Sequence, residues 1–223
     1  MCGRFSLGQT GKAIAETFQL SVEPDVMPRY NIAPTQPAPV VLAMADEPRH
    51  FQLLYWGLIP SWAKDPKMGA RLINARAETV AEKPSFRAAF KRRRCLVVTD
   101  GFYEWQRSDT GKQPYYFQMR SHQPFAFAGL WEHWQGADGS EIDSCTILTT
   151  EANDLLSSIH DRMPVILHPQ DYDLWLDPDM QQTDRLEALL QPYDTDPMMS
   201  YPVSPRMNSP KYDDPTCVEP IGA

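Results

Sequence analysis

Proline is the residue that most limits how this chain can fold. It occurs 21 times in 223 residues, about twice its usual ~5% share. Each proline locks φ and withdraws a backbone donor, so helices are cut short and a helix bundle is excluded. The intervals between prolines read as strand: Val40 to Met44, Phe51 to Ile59, Cys95 to Thr99, Phe102 to Gln106, Tyr115 to Met119, Phe125 to Trp134 and Cys145 to Thr149. Ser108-Asp109-Thr110-Gly111 and Ala137-Asp138-Gly139-Ser140 lie between apolar runs and suit hairpin loops with positive φ.

Helix signals are few. Thr10 is placed to cap a segment carrying Ile14 and Phe18, Pro84 to open one carrying Phe86, Ala89 and Phe90, and Thr150 to cap one through Leu155 and Leu156. Pro169 suits the start of a helix bearing Trp175, followed by an amphipathic piece with Leu186, Leu189 and Leu190. The expected fold class is α+β: a curved antiparallel β-barrel-like core with peripheral helices, in a single domain over residues 1–223. From residue 191 the chain turns rich in Pro and Asp, which predicts an extended strap whose end, about 208–223, is a mobile tail.

Hydrophobic residues make up 42% of the chain and aromatics 11%, enough to fill a core and exclude whole-chain disorder. No apolar run approaches the roughly 20 residues that cross a bilayer, and Met1-Cys2-Gly3-Arg4-Phe5 lacks the apolar stretch of a secretion signal. A cytoplasmic protein without membrane contact is expected. The cysteines at 2, 95, 145 and 217 form no C-x-x-C pair, and no histidines cluster at zinc-ligand spacing, so neither a metal nor a disulfide framework is expected. Net charge is −8, but unevenly spread: residues 1–107 hold 15 Lys/Arg against 10 Asp/Glu, and residues 108–223 hold 6 against 19. The first half, at net +5, permits a nucleic-acid contact that the total alone would discourage.

Cys2 is the most informative candidate for chemistry. Its small side chain allows removal of Met1, which would leave a 1,2-aminothiol at the chain start. The free α-amine has a reference pKa of about 7.7–8.0 and the thiol one near 8.5. An aldehyde is the natural target of such a pair: the amine forms a Schiff base and the thiol closes a five-membered thiazolidine. Position 2 is equally compatible with an ordinary cysteine. Glu104, in Asp100-Gly101-Phe102-Tyr103-Glu104-Trp105, lies among aromatics that would raise its pKa and make it a proton donor, unless it points outward. His160, in His160-Asp161-Arg162-Met163-Pro164, is either a proton shuttle or a helix-terminal surface residue. Asn74 follows two apolar residues and either reaches a pocket or ends a strand.

For a nucleic-acid contact, Lys91-Arg92-Arg93-Arg94 reads as a solvated face. Arg4, Arg29, Arg71 and Arg76, interleaved with aromatics, suit phosphate contacts better. Trp62, after Pro60-Ser61 in a predicted loop, is an exposed ring, whereas Trp56 suits the core. Gly8-Gln9-Thr10-Gly11-Lys12 fails as a phosphate loop because Ser6 stands five before Gly11 and Ala13 replaces the required Ser/Thr.

Taken together, six segments resemble the SOS-response-associated peptidase family over nearly the whole chain: Cys2-Gly3-Arg4-Phe5, Arg29-Tyr30-Asn31-Ile32-Ala33-Pro34, Trp56-Gly57-Leu58-Ile59-Pro60-Ser61-Trp62, Asn74-Ala75-Arg76-Ala77-Glu78-Thr79, and the two motifs around Glu104 and His160. The resemblance implies a sensor and shield for abasic sites in single-stranded DNA. It further implies crosslinking through a thiazolidine at Cys2 after Met1 removal, with strand cleavage as a side activity. Glu104 and His160 match positions that assist sugar opening and proton transfer, and Asn74 one that orients the cysteine. Arg4 and Arg76 match phosphate-contacting positions, a role extended to Asn31, Thr149 and Arg162, with Trp62 stacking. No cofactor is implied, replication-associated proteins are implied partners, and the expected form is a monomer that joins the nucleoid when bound to DNA. Where some family members carry a second tryptophan after the one matching Trp62, this chain has Ala63, which puts strong wedging at a strand junction in doubt. Two other readings stand beside this one: an N-terminal-cysteine amidohydrolase, and a non-catalytic single-strand-binding module.

Overall fold

The computed structural model describes residues 2–44, 47–108 and 111–222. The hairpin expected through Asp109 and Thr110 falls outside these residues. In chain order the strands are β1 (Phe5–Leu7), β2 (Arg29–Ile32), β3 (Pro37–Leu42), β4 (His50–Trp56), β5 (Asn74–Arg76), β6 (Arg94–Thr99), β7 (Gly101–Ser108), β8 (Gly111–Met119), β9 (Phe125–Gln135), β10 (Glu141–Glu151), β11 (Arg162–Pro164), β12 (Ile166–Leu167) and β13 (Met198–Pro202). Five short helices accompany them: α1 (Gly11–Phe18), α2 (Arg87–Arg92), α3 (Asp154–Ser157), α4 (Tyr172–Leu176) and α5 (Thr183–Glu187). No helix among the described residues is long and apolar enough to cross a membrane.

A closed barrel forms from β10, β4, β3, β6 and β9, because β9 returns to pair with β10. Closure removes the free edges that an open sheet of this size would leave. The curved barrel-like core and short peripheral helices agree with the sequence reading, but two pairings are parallel. Ser144 and Cys145 of β10 lie beside Tyr55 and Trp56 of β4, and Ile147–Thr149 run parallel to Asn74–Arg76 of β5. The segment from Gly57 to Ile73 makes that parallel return possible. Gly57 adopts φ +144°, and a Cβ there would meet the Gly69 carbonyl oxygen at 2.6 Å, so only glycine permits the close crossing that turns the chain out of β4.

The second sheet runs β13-β8-β7-β1-β2. Its inner face joins the barrel through aromatic rings. Phe5 of β1 meets Trp56 of β4 edge-on at 5.0 Å between centroids, and Phe102 of β7 meets Phe127 of β9 at 5.7 Å. These rings are fully buried; their edge-to-face geometry adds to the area they bury. Asp100 ties β1 to the start of β7, accepting from the Ser6 hydroxyl and the Gly8 amide.

Thr10 caps α1, accepting from the Ala13 amide, and Ile14 and Phe18 are buried as expected. The cap of α3 is Asn153, not Thr150, which instead lies in β10 opposite Met163. The tail expected to be mobile is packed against β2, an edge strand. Asp213 accepts from the Tyr30 and Asn31 backbone amides and pairs with Arg29. Cys217 is buried, and Val203 bridges to Pro220. An edge strand with free N–H groups needs such a cover, and aspartate supplies the acceptors.

Candidate nucleophile site at Cys2

Cys2 lies three residues before the start of β1 and is fully buried. Burial is the main cause raising the pKa of its thiol, with the nearby Glu104 carboxyl adding to the shift, so the sulfur is held as S–H rather than thiolate. Asn74, the first residue of β5, donates from Nδ2 to the Cys2 carbonyl oxygen at 2.8 Å. Its own Oδ1 is buried without a hydrogen-bond partner among the described residues. The strand β5 is three residues long, and its strand partner among the described residues is β10. Its parallel register is therefore what brings Asn74 to the head of the chain.

Glu104 sits on β7, only 2% exposed. Burial raises its pKa, partly offset by His160 among others. His160 follows α3. Its Nδ1 accepts from the Arg162 backbone amide at 3.0 Å, which in the neutral ring leaves the proton on Nε2. The Asp161 carboxylate lies equally near Nδ1 at 3.0 Å, ready to take over if that nitrogen is protonated. Glu104 and His160 line one open cavity of about 510 Å³ together with Trp105, Arg107, Lys112 and Asn208. The sequence reading missed these last four. Trp105 lay within the quoted motif, whereas Arg107, Lys112 and Asn208 reach the cavity through hairpin register and the returning strap, which leave no local signal.

The expected DNA contacts divide. Trp62 is 57% exposed and Arg76 is exposed on β5. Strand alternation puts Arg76 on the same face as Asn74, about 7 Å further along. Arg4 is chiefly a clamp: Nη1 donates to Asn31 Oδ1 at 2.8 Å and to the Met207 carbonyl at 3.2 Å. Two of the expected contacts are buried. Asn31 is wholly enclosed and turns Nδ2 toward the carbonyls of Met207, Ser209 and Tyr212, holding the strap. Thr149 is fully buried between β5 and β11. Arg162 forms a fork-like pair with Glu78 and donates to the Thr149 carbonyl at 2.7 Å, so a phosphate would have to displace Glu78. In the basic run, Arg94 is not solvated: it is buried and donates to the carbonyls of Phe90, Trp175 and Asp177. Ala63 is buried and accepts from the Trp134 indole at 2.7 Å.

No group of three or more His, Cys, Asp or Glu among the described residues is arranged to hold a metal. The site instead gathers a buried thiol, a carboxyl with a raised pKa, an imidazole and an amide from four separate segments around a barrel. That combination makes Cys2 a candidate nucleophile. Residues 1–210 match the family described as SOS response associated peptidase (SRAP), and the chain belongs to it. It is 46% identical over 225 residues to the abasic site processing protein YoqW of Bacillus subtilis (strain 168), covering 98% of this chain and 99% of that one. It is 33% identical over 228 residues to the abasic site processing protein HMCES of Xenopus tropicalis, covering 87% and 66% of the two chains. An X-ray structure of a protein from Bacteroides thetaiotaomicron matches with a TM-score of 0.86 at 29% identity, covering 98% of this chain and 99% of that one.

Proposed function

We propose that this protein captures abasic sites in single-stranded DNA by bonding the ring-opened sugar twice to Cys2, after Met1 has been removed. The observation that carries the reading is the grouping of Asn74, Glu104 and His160 around a sealed Cys2 beside an open cavity. Relatives named as abasic site processing proteins support the substrate class.

The chemistry follows from the groups. Arg76 holds a flanking phosphate and Trp62 stacks on an unpaired base. Glu104, kept protonated to higher pH than an exposed carboxyl, donates to the sugar ring oxygen and opens it to the aldehyde. The Cys2 amine adds to C1 and water leaves, giving an imine. The S–H then adds across the C=N bond: sulfur bonds to carbon, and the thiol proton passes to nitrogen. Asn74 holds the Cys2 carbonyl so that both nucleophiles stay aimed at one carbon. Before ring closure the imine acidifies the neighbouring sugar C–H, so β-elimination and strand cleavage compete with closure.

The amidohydrolase alternative would use the Cys2 thiol as the first nucleophile. A buried thiol kept protonated is poorly suited to that role, whereas in the crosslinking sequence the amine attacks first. The test is to mix the purified protein with single-stranded oligonucleotides with and without one abasic site. A denaturation-resistant complex that requires both the lesion and Cys2 supports the proposal. Equal complex formation by Cys2→Ser, or peptide turnover without crosslinking, overturns it.

A further inference from the structure

Arg107 and Lys112 are directly opposite each other in the β7–β8 register, and both line the cavity that contains Glu104 and His160. Both residues are exposed, and neither is in an ion pair with any described residue. Like charges facing each other across an antiparallel pair repel, and an anion between them would turn that cost into an attraction. Arg76 belongs to β5, an element without a pairing to this hairpin. A single-stranded ligand whose sugar reaches Glu104 carries a phosphate on each side, and Arg76 accounts for one cation only.

We propose that Arg107 and Lys112 form an anion subsite that grips one of the two backbone phosphates flanking the abasic sugar, so that the lesion is held from both sides. This rests on the abasic-site reading above and assigns it a second binding arm. The subsite makes the protein prefer a lesion inside a strand over one at its end, because a terminal sugar lacks one flanking phosphate. Trp105 and Asn208, joined by a 2.7 Å hydrogen bond from the indole to Oδ1, line the same cavity.

The experiment measures binding apart from crosslinking, with an oligonucleotide carrying a tetrahydrofuran in place of the abasic sugar; it has no aldehyde. Wild type is compared with Arg107→Ala/Lys112→Ala and with Arg87→Ala/Arg185→Ala, which removes two exposed cations on α2 and α5 and so controls for net charge. The Arg107/Lys112 double variant is expected to bind about five-fold more weakly at low salt, on the scale of about 1 kcal/mol for an exposed charge contact. Its plot of log affinity against log salt should be shallower by about 0.7 per phosphate lost, while Arg87→Ala/Arg185→Ala follows wild type. A neutral methylphosphonate at one of the two flanking linkages should weaken wild type and leave the Arg107/Lys112 double variant indifferent. If neither flanking methylphosphonate distinguishes the two proteins, or the slope is unchanged, the subsite is wrong. A wild type that binds in this way yet never crosslinks a natural abasic site would instead overturn the function proposed above.

Discussion

The Asn74 side-chain amide donates to the Cys2 carbonyl oxygen at 2.8 Å and leaves its own carbonyl oxygen buried beside the site. The bond fixes the backbone of the reacting residue without occupying either nucleophile. Asn74→Ala should slow crosslinking about ten-fold, the scale of one hydrogen bond to a positioned group, with the thiazolidine still formed at completion. Rates with an abasic oligonucleotide check this. An unchanged rate would remove the positioning role.

The proton donor proposed at Glu104 carries a cost to the fold. Burial raises its pKa, so the folded protein binds its proton more tightly than the unfolded chain does. The stability it contributes is complete below the unfolded pKa, near 4.3 for glutamate, and is lost as pH rises through the folded value. Glu104→Gln should therefore melt higher than wild type at neutral pH, with the gap closing toward pH 4. The same variant should crosslink more slowly at neutral pH and lose the fall in rate that wild type shows as the carboxyl ionises. Melting curves and rates taken across pH 4–8 read both effects.

Asn31 and Arg4 separate structure from DNA binding. Asn31→Ala removes the partner of three strap carbonyls in a buried position, a loss on the order of 3 kcal/mol, or roughly 6–12 °C in Tm for a chain of this size. The salt dependence of DNA binding should not change. A loss of DNA affinity at unaltered Tm would return Asn31 to the phosphate-contacting set.

Trp62 should behave in the opposite way. Its ring is more than half exposed, so Trp62→Ala should leave Tm within about 1 °C and weaken single-strand binding about ten-fold, within the 1–3 kcal/mol that stacking on one base contributes. Fluorescence or filter binding at fixed salt measures it.

The strands that carry long apolar runs were legible because alternation and β-branched residues mark them directly. β1, β5 and β11 were not, since three residues give no period and their pairing partners lie far away in sequence. Barrel closure was inferred only as curvature: the parallel contact of β10 with β4 depends on the Gly57–Gly69 crossing, a close approach that no local pattern encodes. Cys2, Asn74, Glu104 and His160 were singled out because each sits in a motif with its own chemistry; the Asn74–Cys2 hydrogen bond and the cavity shared by Glu104 and His160 are structural facts that sequence spacing does not encode. Arg4 and Asn31 were read as phosphate contacts from the family resemblance; their bonds to the strap, more than 170 residues later, leave no local signal. The packing of the strap is hidden for the same reason: its composition resembles a loose terminus, while Asp213 accepts from the N–H groups of β2.

The aminothiol at Cys2 is tested most directly by intact-mass measurement of the adduct with an abasic oligonucleotide, comparing the mature protein with a variant extended by a few residues before Cys2. The account predicts an adduct from the mature protein equal to the chain without Met1 plus the DNA less one water, resistant to denaturation, and none from the extended variant. A stable adduct of the extended chain at the same rate would contradict it, since no free α-amine would then be needed.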